Sequence, residues 1–175
     1  MDSIGGDVNQ GHYHADIWFS ENGSEWILAN PNCPVPWGPR ALNYTVCFQG
    51  AIWVMGGQTI PQLARAPQRF YNDTWRSIDG KTWEKILDVN PKWASRGMIG
   101  GQAIWNDRIW IVGGGRYDTP ASPSRVFFSD VWSSADGVHW KLHTSAATWD
   151  PRQYREVAIF DNRLWILEGW SGKNR

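Results

Sequence analysis

The stretch NDTWRSIDGKTW, Asn72–Trp83, sets two tryptophans on either side of an Asp-Gly pair. Glycine accepts the positive φ of a tight hairpin, so Asp79-Gly80 reads as the turn between two strands. The weight of the stretch lies in its recurrence. Trp75 has counterparts at Trp18 and Trp132, spaced by 57 residues. Trp83 has counterparts at Trp26 and Trp140, spaced by 57 again. Trp37, Trp93 and Trp149 each stand three residues before an arginine, and those arginines, Arg40, Arg96 and Arg152, are spaced by 56. Trp53, Trp110 and Trp165 follow at intervals of 57 and 55. Twelve of the 14 tryptophans fall on these four positions, leaving only Trp105 and Trp170 outside. A platform for sugars or nucleic acid has no need of such recurrence; a repeated core does.

Working outward, one repeat reads as four strands. LNYTVCFQ (42–49) is apolar and β-branched, and AIWVMGG (51–57) ends in a glycine pair. The polar segment QTIPQLARAPQRFY reads as a long loop, followed by NDTWRSI and KTWEKIL as strands three and four. The next copy runs GGQAIWND, RIWIVGG, SDVWSSA and VHWKLH, with Asp136-Gly137 at the hairpin. No segment sustains a 3.6-residue apolar period over helix length. The expected class is all-β, as a single domain over 1–175, with repeats at about 1–36, 37–92, 93–148 and 149–175.

Bulk properties narrow the function classes. Lys+Arg and Asp+Glu are both 17, so the formal net charge is zero. No electrostatic grip on nucleic acid or an acidic membrane is expected. A hydrophobic content of 42% suffices for a core, and no apolar run approaches a membrane span. Met1 is followed by DSIGGDVNQGHYH, which has neither the basic nor the apolar region of a secretion signal, so a cytoplasmic location is expected. Cys33 and Cys47 are expected to be reduced, partly buried thiols rather than a disulfide framework.

Four-stranded units in series suit a β-propeller, where radial stacking buries sheet faces that one unit leaves open. The glycine pair after an apolar strand, the N-D-x-W, the tryptophan of strand four and the W-x-x-R before the next strand resemble kelch repeats. The third glycine pair is broken, with Glu168-Gly169 in its place. The chain opens with SIGG (3–6) as the tail of a second strand, then ADIWFS and SEWILA as strands three and four. It closes with REVAIF and RLWILEG as strands one and two. That gives two whole blades and two complementary half blades, about three blades in all. Three blades do not close, whereas two copies make six, so a homodimer closing a six-bladed ring is expected. The alternative is a fragment of a longer propeller.

In a propeller the repeated Arg40, Arg96 and Arg152 would ring the channel mouth. Guanidinium forks there would clamp an anion or carboxylate. The competing reading is that each bonds backbone carbonyls and serves the repeat. The neighbouring Trp37, Trp93 and Trp149 offer either sugar-stacking faces or core packing. Ser77-x-Asp79-Gly80-x-x-Trp83 and Ser134-x-Asp136-Gly137-x-x-Trp140 are similar to the Asp-box of sialidases but one residue shorter. The first copy carries Asn22. An Asp or Asn bonding its own turn accounts for all three copies without catalysis. His12, His14, His139 and His143 show no convincing metal-ligand pattern, and no metal or cofactor is expected. The loops after strand two differ between repeats and carry His12, Tyr13, His14, Arg65, Arg69, Tyr71, Arg116, Tyr117 and Arg125, an Arg/Tyr-rich surface suited to binding.

The kelch resemblance implies a non-enzymatic binding or interaction module, with a protein or glycan as ligand and no catalytic residues. One alternative is a carbohydrate-active enzyme on an acidic sugar, sialidase- or mutarotase-like, with Tyr154 and Glu156 as the candidate nucleophile pair. The other is a purely structural assembly unit.

Overall fold

A computed structural model describes residues 11–31, 34–61, 64–90, 92–97, 101–119 and 123–172. The SIGG strand and Cys33 lie outside the described residues. Every regular element among the described residues is a strand.

Strands β1 (Trp18–Phe19) and β2 (Ile27–Leu28) form an antiparallel pair. β3 (Tyr44–Phe48) and β4 (Ala51–Met55) follow, joined by Gln49-Gly50 with both φ positive. That turn geometry matches the right-handed twist of the flanking strands. A small hairpin, β5 (Gln58–Thr59) with β6 (Arg69–Phe70), comes next. β7 (Thr74–Ser77) and β8 (Glu84–Ile86) then complete a four-stranded sheet in the order β3-β4-β7-β8. β9 (Gln102–Trp105), β10 (Arg108–Arg116), β11 (Val126–Ser134) and β12 (Trp140–Thr144) form a second four-stranded antiparallel sheet in sequence order. β13 (Glu156–Phe160) and β14 (Arg163–Leu167) make a last two-stranded pair. The expected partition into two four-stranded sheets flanked by two-stranded pairs is present, and none of the sheets is closed.

Two elements depart from the sequence reading. The segment expected to be a polar loop, 58–71, contains the β5–β6 hairpin. In the second sheet β10 runs on through Gly113-Gly114 to Arg116, with a bulge after Val112. Both extensions are short or irregular, so neither has the two-residue alternation that marks a strand. Cys47 is a free thiol but exposed, not partly buried. It sits on β3, whose residues alternate inward and outward, and it falls on the outward phase.

The core lies between the two four-stranded sheets. Tyr44, Val46, Phe48, Trp53 and Met55 from β3 and β4 meet Ile109, Ile111, Trp132 and Trp140 from β10, β11 and β12. Trp93, on the connection between the sheets, is fully buried and stands edge-on to Trp140 at 6.1 Å. Its role is packing, as the repeat spacing implies.

Candidate functional site

The three repeated arginines are built the same way but finished differently. Arg40 donates to the Gly56 carbonyl at 3.0 Å and to the Trp37 carbonyl. Its two terminal nitrogens also grip Asp73, at 2.6 and 3.1 Å. Arg96 donates to the Ala94 and Gly113 carbonyls at 2.9 and 2.7 Å and grips Asp130 at 2.7 and 2.8 Å. Each aspartate takes a third bond from the indole two residues on, Trp75 Nε1 at 2.9 Å and Trp132 Nε1 at 2.8 Å. Burial works against the Asp73 carboxylate, but the bonds from Arg40 and Trp75 outweigh it and hold it below the usual range. Arg40 and Arg96 are both buried. They are committed to internal bidentate pairs and do not present an open anion clamp. The sequence reading did not name their acid partners; the signal that could have found them is the recurrence of Asp16, Asp73 and Asp130 at a spacing of 57.

The glycine pair makes room for these arginines. A Cβ on Gly57 would lie 3.0 Å from Arg40 Cδ, and one on Gly169 would lie 2.7 Å from Arg152 Cδ. The first glycine of the pair is fixed by its surroundings only in places. A Cβ at Gly113 would meet Arg155 and the Phe128 carbonyl, at 2.4 and 2.6 Å. At the matching position Glu168 carries a side chain, at φ 57°.

The variable segments bring a different set together. Tyr13 Oη accepts from the Ile60 amide at 2.9 Å and donates to the Ile60 carbonyl at 3.3 Å. These bonds fasten the N-terminal segment against the β5–β6 hairpin, 47 residues away in sequence. The hairpin is held in turn by Thr59 Oγ1 donating to the Pro67 carbonyl at 2.6 Å. Between them opens a cleft of about 460 Å³, lined among others by His12, Tyr13, Trp37, Arg65, Arg69 and Tyr71. Arg40 stacks on Tyr71 from 3.5 Å, and Arg69 stands 5.5 Å from the same ring. Tyr71 is therefore braced from within the scaffold and met by an exposed cation from the loop. Aromatic faces beside long-stemmed cations suit a ligand with an apolar face and an anionic or hydroxylated edge.

Of the loop residues singled out in the sequence, His12, Tyr13, Arg65, Arg69 and Tyr71 converge on this cleft. His14 contacts the His12 ring at 4.4 Å and has Asp16 Oδ1 3.9 Å away. Arg116 is used elsewhere, donating to the Ser95 carbonyl at 2.6 Å and to Ser95 Oγ at 3.0 Å. Tyr117 belongs to a separate cluster, where its hydroxyl meets that of Tyr154 and Arg125 covers its ring at 4.4 Å. Burial first, and then the neighbouring Tyr154, push the Tyr117 phenol above its usual range. Tyr154 thus pairs with Tyr117 and not with Glu156. The remaining histidines are apart: His139 pairs with Asp136 at 2.7 Å, and His143 stacks on Trp110 at 4.6 Å. Among the described residues no three potential ligands assemble a metal site. Trp37, one of the tryptophans with an expected stacking face, joins the loop residues of the cleft, and the hairpin's Thr59, which was outside the set of binding residues read from sequence, completes it.

The Asp-Gly hairpins are self-contained turns. The amides of Gly23, Gly80 and Gly137 each donate to the preceding serine Oγ at 2.8 Å. Asn22, Asp79 and Asp136 each accept two further backbone amides. Burial opposes ionisation of Asp136, but bonds from His139, Val138 and Ser134 bring its carboxyl down to about 2. These are scaffold interactions, with no free acid presented for chemistry.

No protein-family model matches the chain. The chain is similar to the leucine-zipper-like transcriptional regulator 1 homolog of Drosophila melanogaster, at 22% identity over 144 residues. The match takes in 78% of this chain and 13% of that protein, so the chain spans a small part of the relative's length.

Proposed function

We propose that this chain is a non-enzymatic binding module on a kelch-type propeller, engaging a protein or glycan through the cleft beside the β5–β6 hairpin. The observation that carries this reading is the convergence of Trp37, Arg69, Tyr71 and His12 on one opening, from segments distant in sequence. The propeller reading is supported by two four-stranded antiparallel sheets in series, sharing a core and flanked by two-stranded pairs. Two such chains would supply six blades, and the homodimer is part of the proposal. The balanced charge favours this role over a grip on nucleic acid.

The enzyme reading is the weaker one. An acidic-sugar enzyme needs an open arginine cluster, and two of its three candidate arginines are spent on Asp73 and Asp130. The test is a glycan array carrying sialylated and neutral sugars, run with sialidase and mutarotase assays on the same protein. Binding that falls about tenfold or more in Arg69→Ala and Tyr71→Leu, without turnover, is the expected result. Turnover, or binding indifferent to both substitutions, would overturn the reading.

A further inference from the structure

The arginine–aspartate–tryptophan unit occurs twice in full and twice in halves. Arg152 repeats the backbone grip of its counterparts: its Nε donates to the Asp150 carbonyl at 2.9 Å and its NH1 to the Glu168 carbonyl at 3.3 Å. Those bonds aim the fork, yet among the described residues no carboxylate occupies it. At the other end of the chain Asp16 repeats the acid half. Its Oδ2 accepts from Trp18 Nε1 at 2.7 Å, as Asp73 does from Trp75 and Asp130 from Trp132. Among the described residues no arginine reaches it, and its ion-pair neighbour is the exposed His14, 3.9 Å away.

The sheets that carry these halves are unfinished in the same complementary sense. β13 and β14 occupy the first two strand positions of a repeat, and β1 and β2 the last two. Both pairs leave large apolar side chains in the open, Trp165 and Leu167 on one and Trp18 and Ile27 on the other. An exposed edge of this kind is a template for strand addition.

We propose that Arg152 of one copy grips the partner's Asp16, so that β14 of one copy pairs with β1 of the other at two equivalent sites of a two-fold dimer. This inference rests on the propeller reading above and names the contact that would close the ring. A second copy is the occupant that the charge complementarity selects, because each copy carries one donor fork and one acid half. Both halves are then satisfied at once by one isologous contact. The register follows from the complete sheets. Trp53 lies opposite Arg76 and Trp110 opposite Ser133, in each case the residue after the strand-three tryptophan. Trp165 therefore faces the partner's Phe19, and Ile166 the partner's Trp18.

A charge swap tests this on the 175-residue chain by sedimentation equilibrium. Wild type is expected to be a dimer. Asp16→Arg and Arg152→Asp each set like charges at both sites, and each raises the dimer dissociation constant roughly a hundredfold or more. Mixing the two variants restores dimers, because one site regains the native pair and the other gains its mirror image. The double variant alone also dimerises. The neutral Arg152→Gln weakens association in the same direction and guards against a charge-swap chain that fails to fold. A wild-type dimer indifferent to these substitutions would sink the Arg152–Asp16 contact while leaving a two-copy assembly standing. A monomeric wild type would remove both the contact and the six-bladed homodimer, and would leave the cleft to be judged by its own binding assay.

Discussion

The complete and the half sheets carry the same tryptophans in different surroundings. Trp53 and Trp110 are 3% and 7% exposed, whereas Trp165 at the same repeat position is 40% exposed and Trp18 is 50% exposed. Trp165 still makes the local bond of its counterparts, Nε1 donating to the Phe160 carbonyl at 2.8 Å, as Trp53 does to Phe48 at 3.0 Å and Trp110 to Trp105 at 2.9 Å. Local geometry is therefore set within a hairpin, while burial is set by the neighbouring sheet. The repeat signature encodes both, but only the first is satisfied by each segment alone.

The largest effect that would break this comparison concerns the arginines. Arg96→Ala leaves Asp130 with its indole bond but no counter-charge, in a site that is largely closed to solvent. Loss of one partner from such a pair costs about 3–5 kcal/mol. Arg152→Ala removes no ion pair within the described chain and costs under about 1 kcal/mol, provided the protein is dilute enough for association not to contribute. Urea unfolding of the two variants should separate them. Equal losses would show that the repeat position matters more than its completion.

A smaller effect sharpens the role of the neighbouring sheet. Gly137 has φ 74°, and a Cβ there would lie 2.2 Å from the Trp53 ring of the other sheet. Gly80 has φ 72° in the equivalent turn, and its nearest neighbour would be Ile52 Cδ1 at 3.8 Å. Both alanine variants carry the left-handed strain of about 1 kcal/mol, and Gly137→Ala adds overpacking for a total of about 3 kcal/mol. Thermal denaturation reads the difference. Similar melting points for the two would show that the sheets are less tightly apposed than this geometry requires.

The smallest effect is electrostatic. The Asp136 carboxyl titrates at about 2 in the folded chain, below its ordinary 3.8. A depressed carboxyl stabilises the fold above its unfolded pKa, and that contribution drains away as pH falls from about 4 toward 2. Asn22 accepts the same two amides without a charge. Asp136→Asn should accordingly flatten the acid limb of a stability–pH curve by less than about 1 kcal/mol, given the exposure of the turn. An unchanged acid limb would place the pH dependence elsewhere.

Much of the architecture was legible because tryptophan is rare and large, so a spacing of 57 in Trp18, Trp75 and Trp132 does not arise by chance and marks a recurring packing position. The hairpin turns were legible for a similar reason, since Asp79-Gly80 has a defined backbone preference. The fate of Arg40 and Arg96 was only half legible. Their spacing showed service to the repeat, but the partner lies 33 or 34 residues on and is reached only because a positive-φ glycine lets the arginine stem pass. The cleft could not be read in advance. It depends on Tyr13 folding onto Ile60, and on a hairpin of two-residue strands whose residues show no alternation. Non-repeating loops leave no internal copy to align against, so their residues are visible but their meeting is not.

The three serine–glycine turns have a use beyond scaffolding. Each holds one glycine amide to a serine oxygen at 2.8 Å, in identical local geometry. Gly23 belongs to a half sheet, whereas Gly80 and Gly137 belong to complete ones. Once the intrinsic rates after Asn22 and after the two aspartates are divided out, differences in their hydrogen–deuterium exchange report the opening free energy of each unit. The chain carries three such gauges, one in each of its first three repeats, readable together in a single sample.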